Sequence, residues 1–164
     1  MKPLKFALLF FPLSLLFSCK SSTSDYANNE KVTSIFLSQM KQIDETDSVF
    51  RDTSKVYVKG FPDSIFLSHK AENLINNSKM DLADIAALKP GEAAGKFNDG
   101  VISYLKSIND YGKTAAEMIQ AKSISEKKKL HAQLTLKYEK LNSYPDRLLA
   151  IQQTYLSEVG LQPK

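Results

Sequence analysis

The chain has 164 residues, with 22 basic and 18 acidic side chains, one cysteine and no tryptophan. The formal net charge of +4 falls to +2 without Lys2 and Lys5, which gives no electrostatic reason to expect nucleic acid, and a single cysteine excludes an internal disulfide. The length suits one domain around one hydrophobic core.

Residues 1–18 have the form of a bacterial signal peptide. Lys2 and Lys5 precede an uncharged run from Phe6 to Phe17, which is shorter than the roughly 20 apolar residues of a membrane-spanning helix. Removing these two lysines from 22 basic side chains leaves 20 against 18 acidic ones, so the exported chain is nearly neutral.

The segment Leu16-Phe17-Ser18-Cys19 resembles the lipobox of bacterial lipoproteins, with Phe17 in a place where a small residue is usual. The resemblance implies a lipid on Cys19, whose thiol would otherwise stay free and reactive in an exported protein. Two or more acyl chains, palmitate among them, anchor a protein stably. The alternative is an ordinary secreted protein with its cysteine beside the cleavage site.

The segment that follows Cys19 is rich in serine and has no large apolar side chain. We predict that residues 19–25 form the lipidated cysteine and a flexible tether, and that residues 26–160 form the folded domain.

In the first predicted helix Asp47 and Ser54 interrupt an apolar stripe, and residues 55–59 could instead be extended. The stripe consists of Val32, Phe36, Met40, Ile43, Phe50 and Tyr57.

The second predicted helix begins at Asp63 or Ser64 and stops before Lys89-Pro90-Gly91. Its stripe consists of Leu67, Ala71, Leu74, Ser78, Leu82 and Ile85. The third, from Glu92 to Ala121, has the strongest period, with steps of three and four residues. Its stripe consists of Phe97, Val101, Tyr104, Ile108, Tyr111, Ala115 and Met118.

The fourth predicted helix begins at Ser123, with Glu126 three residues later as in a capping box. Pro145 lies inside its apolar stripe and must break or kink the helix; because the stripe resumes in phase at Leu148, we predict a kink. The stripe consists of Leu130, Leu134, Tyr138, Leu141, Leu148, Ile151, Tyr155 and Val159.

Four amphipathic helices joined by short connections predict an all-α domain, an up-down-up-down four-helix bundle. Bundles of this kind often hold metal, but the paired Glu-x-x-His motifs of di-iron bundles do not occur here. His69 and His131 are predicted to be surface residues, although a site closed by Glu72 or Asp110 is conceivable. We predict no metal and no other cofactor.

No catalytic residues are predicted, because the sequence has no Gly-x-Ser-x-Gly and no phosphate-binding loop. The tyrosines are expected at the edge of the core, with hydroxyls that reach water; a polar pocket inside the bundle is the alternative. The run Lys127-Lys128-Lys129, with Lys122 before it, is expected to be a solvated face, with anionic lipid as the alternative partner.

Three parts of the chain resemble a group of small helical surface lipoproteins of unassigned function from spirochaetes and Bacteroidota. They are the leader, the stretch from Lys96-Phe97 to Tyr111, and the closing segment from Ile151 to Leu156. The resemblance implies a surface or periplasmic interaction role and no catalytic residues.

We therefore expect a non-enzymatic, lipid-anchored protein of the cell envelope. Its location would be the outer membrane, and its partner a protein or an envelope component rather than nucleic acid. A carrier of a small ligand or metal inside the bundle is the alternative.

Overall fold

The computed structural model describes residues 20–52 and 64–161, with side chains from Ser24 onwards. Over these residues the chain is helical and contains no strand, which confirms the all-α prediction. The predicted signal peptide, Cys19 and the segment 55–59 lie outside the described residues. The helices are α1 (Lys20–Phe50), α2 (Ser64–Ala87), α3 (Gly95–Gln120), α4 (Ile124–Asn142) and α5 (Tyr144–Glu158), with a 3-10 turn at Glu92–Ala94 before α3.

Side-chain contacts give the direction of each helix. Lys31 pairs with Asp84 at 2.8 Å, whereas Asn77, nearer the start of α2, bonds Gln42, nearer the end of α1. The helices α1 and α2 are therefore antiparallel.

The other helices alternate in the same way. Along α3, Asn98 meets Asn28 and Tyr111 meets Asp47, so α1 and α3 run in the same direction. Contacts of α1 with Tyr138 and Tyr155 occur in reverse order, which makes α4 and α5 antiparallel to α1. The up-down-up-down bundle is confirmed, with α4 and α5 together in the place of the fourth helix.

Helix α3 is the centre of the bundle and contacts all four other helices. Every member of its predicted stripe is buried, and so is a second face. A helix that meets neighbours on two sides needs both faces buried, which one stripe does not predict. The second face consists of Asn98, Leu105, Asn109 and Gly112.

The predicted tether is partly wrong. Helix α1 begins at Lys20, and Asp25 is buried. The tether prediction assumed that a segment without large apolar side chains has nothing to bury. Here a polar contact holds the segment, because the backbone carbonyl of Asp25 accepts a 2.7 Å hydrogen bond from the Tyr155 hydroxyl.

The chain does not kink at Pro145 as predicted; instead, one helix ends and a new one begins just before this residue. Helix α4 ends at Asn142, Ser143 is the single residue between the helices, and Pro145 lies in the first turn of α5. Proline fits a first turn because no amide hydrogen is needed there. The predicted cap at the other end of α4 is present, since the Ser123 hydroxyl accepts a 3.1 Å bond from the Glu126 amide.

The buried apolar side chains of these helices form one continuous core, from Val32 on α1 to Tyr155 on α5. The described helices thus bury one another. Within the described part of the chain, each helix is too short or too polar to cross a membrane.

Candidate functional site

The predicted site residues do not meet in one place. Cys19 lies outside the described residues. His69 is exposed, with its Nδ1 4.0 Å from the Glu72 carboxylate, whereas His131 is half-buried and therefore not the surface residue predicted. Over residues 20–52 and 64–161, no three His, Cys, Asp or Glu side chains are grouped as a metal site requires.

A buried carboxylate is the centre of the main polar cluster, which we call the Asp47 cluster. Asp47 is 1% exposed, and its Oδ1 accepts a 2.9 Å hydrogen bond from the Tyr111 hydroxyl. Its Oδ2 lies 2.5 Å from Nε of Arg51, one helical turn later on α1. A buried charge needs such partners, because removing a carboxylate from water is costly.

The cluster continues outward to α4. The Arg51 guanidinium lies over the Tyr138 ring, 4.8 Å from its centroid, and the Tyr138 hydroxyl donates a 2.9 Å bond to Asp44. Stacking of this kind directs the guanidinium, which is half-exposed, towards the buried carboxylate. The Asp47 cluster therefore joins α1, α3 and α4.

Burial decides the electrostatics of the Asp47 cluster. Desolvation raises the pKa of Asp47 above its ordinary value of 3.8, against the lowering effects of Tyr111, Arg51 and His131. The pKa of Tyr111 is raised as well, first by burial and then by the Asp47 charge. Neither side chain is reached by solvent, so neither is accessible to a substrate at the surface of the bundle.

The tyrosines differ from the prediction. Tyr104, Tyr111 and Tyr155 are fully buried, and only Tyr138 and Tyr144 are half-buried at the edge of the core. The hydroxyl of Tyr111 bonds the Asp47 carboxylate, and that of Tyr155 bonds the Asp25 backbone carbonyl. One signal was visible in the sequence, since Asp47 is an acid at a stripe position, but the periodicity does not show which hydroxyl it meets.

A second polar network lies where α1 begins. Asn28 and Asn98 exchange two amide hydrogen bonds of 3.0 Å, next to the bond from Tyr155 to Asp25. Burial, followed by the Asp25 charge, raises the pKa of Tyr155 to about 12. Like the Asp47 cluster, this network pairs buried groups with one another and fixes the relative positions of α1, α3 and α5.

The surface offers an apolar groove between α1 and α5, with a volume of about 210 Å³. Phe36, Met40 and Leu148 line its floor, and the half-exposed Leu37 and Leu149 lie along it. Exposed leucines beside an open cleft are typical of interaction surfaces. We call this the α1–α5 groove.

The other surface is the end of the bundle opposite Lys20, which we call the distal end. It includes the start of α2, where Ile65 is 68% and Phe66 47% exposed, and the start of α4, where Ile124 is 61% exposed. Lys122 lies just before α4, and Lys127, Lys128 and Lys129 lie in its first turns. An open cleft of about 580 Å³ is lined there by Lys122 and Lys129, with Glu117 and Glu126.

Comparison with protein-family models, with curated proteins and with solved structures finds no match to this chain. The resemblance to small surface lipoproteins therefore stays a prediction.

Proposed function

We propose that the chain is a lipoprotein of the cell envelope, anchored by a lipid on Cys19, whose helical bundle binds another protein and catalyses no reaction. The anchor rests on the lipobox-like segment Leu16-Phe17-Ser18-Cys19 that follows the apolar leader. The binding role rests on the folded domain.

The observation that carries the binding role is the contrast between a filled interior and an open apolar surface. Tyr104, Tyr111, Phe97 and Leu105, all fully buried, occupy the centre of the bundle. A carrier would need space there, lined by polar groups that await a ligand. The buried side chains of Tyr111, Tyr155, Asn28 and Asn98 already have hydrogen-bond partners within the protein, which favours a role for the outer surface over the carrier alternative.

The α1–α5 groove is the surface we assign to a protein partner. Its floor is apolar, and Thr33, Asp146 and Gln152 add polar groups at its rim. An apolar centre with a polar rim is the usual arrangement of protein interfaces. A partner helix or extended segment with two or three apolar side chains would cover Leu37 and Leu149.

Photo-crosslinking in the cells that make the protein tests this role. A photoreactive residue is placed at Leu37 or at Leu149, and a matched control at Met80, which is an exposed apolar residue of α2. We expect the same discrete adduct from both groove positions and no such adduct from Met80. No adduct at the groove, or the same adduct from all three positions, would contradict the assignment.

A further inference from the structure

We infer that the distal end is a membrane-contact surface, and that it binds an anionic phospholipid bilayer. Three apolar side chains are exposed at this end of the bundle, those of Ile65, Phe66 and Ile124. Water around such side chains is unfavourable, and their presence at one end of a bundle gives that end an apolar tip.

The packing of α2 on α3 brings the three residues to the same level. A Cβ at Gly112 would lie 3.3 Å from Leu74 and 3.2 Å from the Ala71 carbonyl oxygen, so these parts of the two antiparallel helices are side by side. From there, α2 extends back to Ser64 and α3 forward to Gln120 by nearly the same number of residues. At about 1.5 Å per residue, both helices end within one turn of each other.

The second observation is the positive charge of the lysines at the distal end. The stretch from Lys122 to Lys129 contains four lysines and one acid, Glu126, and a second acid, Glu117, lines the adjacent cleft. Some lysines of the described chain pair with carboxylates, as Lys31 does with Asp84 and Lys137 with Asp110. The four distal lysines form no ion pair with the described residues, so their charges are available to a ligand.

Lysines around exposed apolar side chains match the chemistry of a membrane interface. The ammonium groups would lie among lipid phosphates, while Ile124 and its neighbours enter the boundary of the acyl chains. A soluble anionic polymer would use the same lysines, but it would gain nothing from three exposed apolar residues. The apolar tip therefore favours a bilayer.

The position of the distal end determines which membrane it could reach, and this step rests on the proposed lipid anchor. Lys20 follows the anchor residue, and the 26 residues of α3 separate the two ends by about 40 Å. A bundle held at Cys19 would thus present the distal end to a second membrane, or lie flat to reach the first.

Vesicle co-sedimentation of the soluble chain from Lys20 to Lys164 tests the bilayer proposal independently of the anchor. The probes are phosphatidylcholine vesicles with or without about 30% phosphatidylglycerol. We expect binding to the anionic vesicles only, and its loss when salt is raised from about 50 mM to about 500 mM. Equal binding to neutral vesicles, or no binding to either, would overturn the proposal.

Two charge-matched variants locate the surface. The distal variant changes Lys122, Lys127, Lys128 and Lys129 to Gln, and the control variant changes the exposed Lys79, Lys89, Lys96 and Lys106 to Gln. We expect the distal variant to bind about tenfold or more weakly and the control to change about threefold or less. An equal loss in both variants would show that only net charge matters and would contradict a defined surface.

Ile124→Ser separates a bilayer from a soluble polyanion. We expect it to weaken vesicle binding about threefold to tenfold without changing the binding of polyphosphate. Vesicle binding that is unchanged in this variant would favour the polyanion and overturn the bilayer assignment.

The complete lipidated protein in neutral vesicles supplies the second assay, by tethering dye-labelled anionic vesicles. Tethering that fails while the soluble chain still binds would count against the anchor, not against the distal end.

Discussion

The hydroxyl of Tyr111 on α3 donates a 2.9 Å hydrogen bond to the buried carboxylate of Asp47 on α1, 64 residues away in sequence. Tyr111→Phe removes the donor and leaves the carboxylate desolvated. We expect the free energy of unfolding to fall by about 1–3 kcal/mol, measured by urea denaturation.

Tyr138→Phe is the matched control, because its hydroxyl bonds Asp44 in an exposed position while its ring still stacks on Arg51. We expect a loss below about 1 kcal/mol. Equal losses in the two variants would mean that burial adds nothing to the bond between Tyr111 and Asp47.

The raised pKa of Asp47 predicts a pH dependence of stability. The folded protein binds this proton more tightly than the unfolded chain, so the contribution of Asp47 is greatest below pH 3.8 and falls as pH rises through the folded pKa. Asp47→Asn keeps an oxygen acceptor for Tyr111 but does not titrate.

The measurement compares the free energy of unfolding of wild type and Asp47→Asn at several pH values. We expect the difference to shift in favour of the wild type as the pH falls from about 7 towards about 4. A difference that is constant, or that shifts towards the variant, would show that burial does not raise this pKa.

Periodicity predicted the architecture because each helix buries one apolar stripe, and the stripes of α2 and α3 are buried almost residue for residue. It did not predict features that depend on cross-helix partners. Asp47 was visible only as an interruption of the α1 stripe, and Asp25 only as part of a polar segment. Their roles require knowing that Tyr111 and Tyr155 lie opposite them.

The interruption at Ser143 escaped prediction for a local reason. A proline inside an amphipathic pattern is compatible with a kink or with a new first turn, and both keep the apolar phase at Leu148.

The distal end was visible in the sequence as a lysine run. Its exposed apolar residues lie at the starts of α2 and α4, which only the fold brings to the same end of the bundle.

Ile108 is completely buried at the centre of the α3 stripe. Ile108→Asp would place an unpaired charge there, and we expect a loss of several kcal/mol or of the cooperative thermal transition. Leu136→Asp on α4 is the control, because Leu136 is largely exposed, and its change should stay within about 0.5 kcal/mol. Similar melting temperatures for the two variants would contradict the packing of α3.

We expect alanine substitutions at two glycines of α3 to have opposite effects on stability. At Gly112 a Cβ would lie 2.9 Å from Ile75 and 3.2 Å from the Ala71 carbonyl oxygen, so α2 and α3 must move apart. At Gly95 nothing lies within 4 Å. We expect Gly112→Ala to destabilise by about 1–3 kcal/mol and Gly95→Ala to stabilise by up to about 1 kcal/mol in urea denaturation. Effects of the same sign would contradict the close approach at Gly112.

The central claim is that a lipid on Cys19 anchors this bundle in the cell envelope, and fatty-acid labelling tests it most directly. The complete protein, Cys19→Ala and the control Ser22→Ala are produced in the presence of an alkyne analogue of palmitate, and the cells are fractionated. We expect wild type and Ser22→Ala to be labelled and to sediment with membranes, and Cys19→Ala to be unlabelled and soluble. An unlabelled wild type, or a Cys19→Ala protein that still sediments with membranes, would contradict the account.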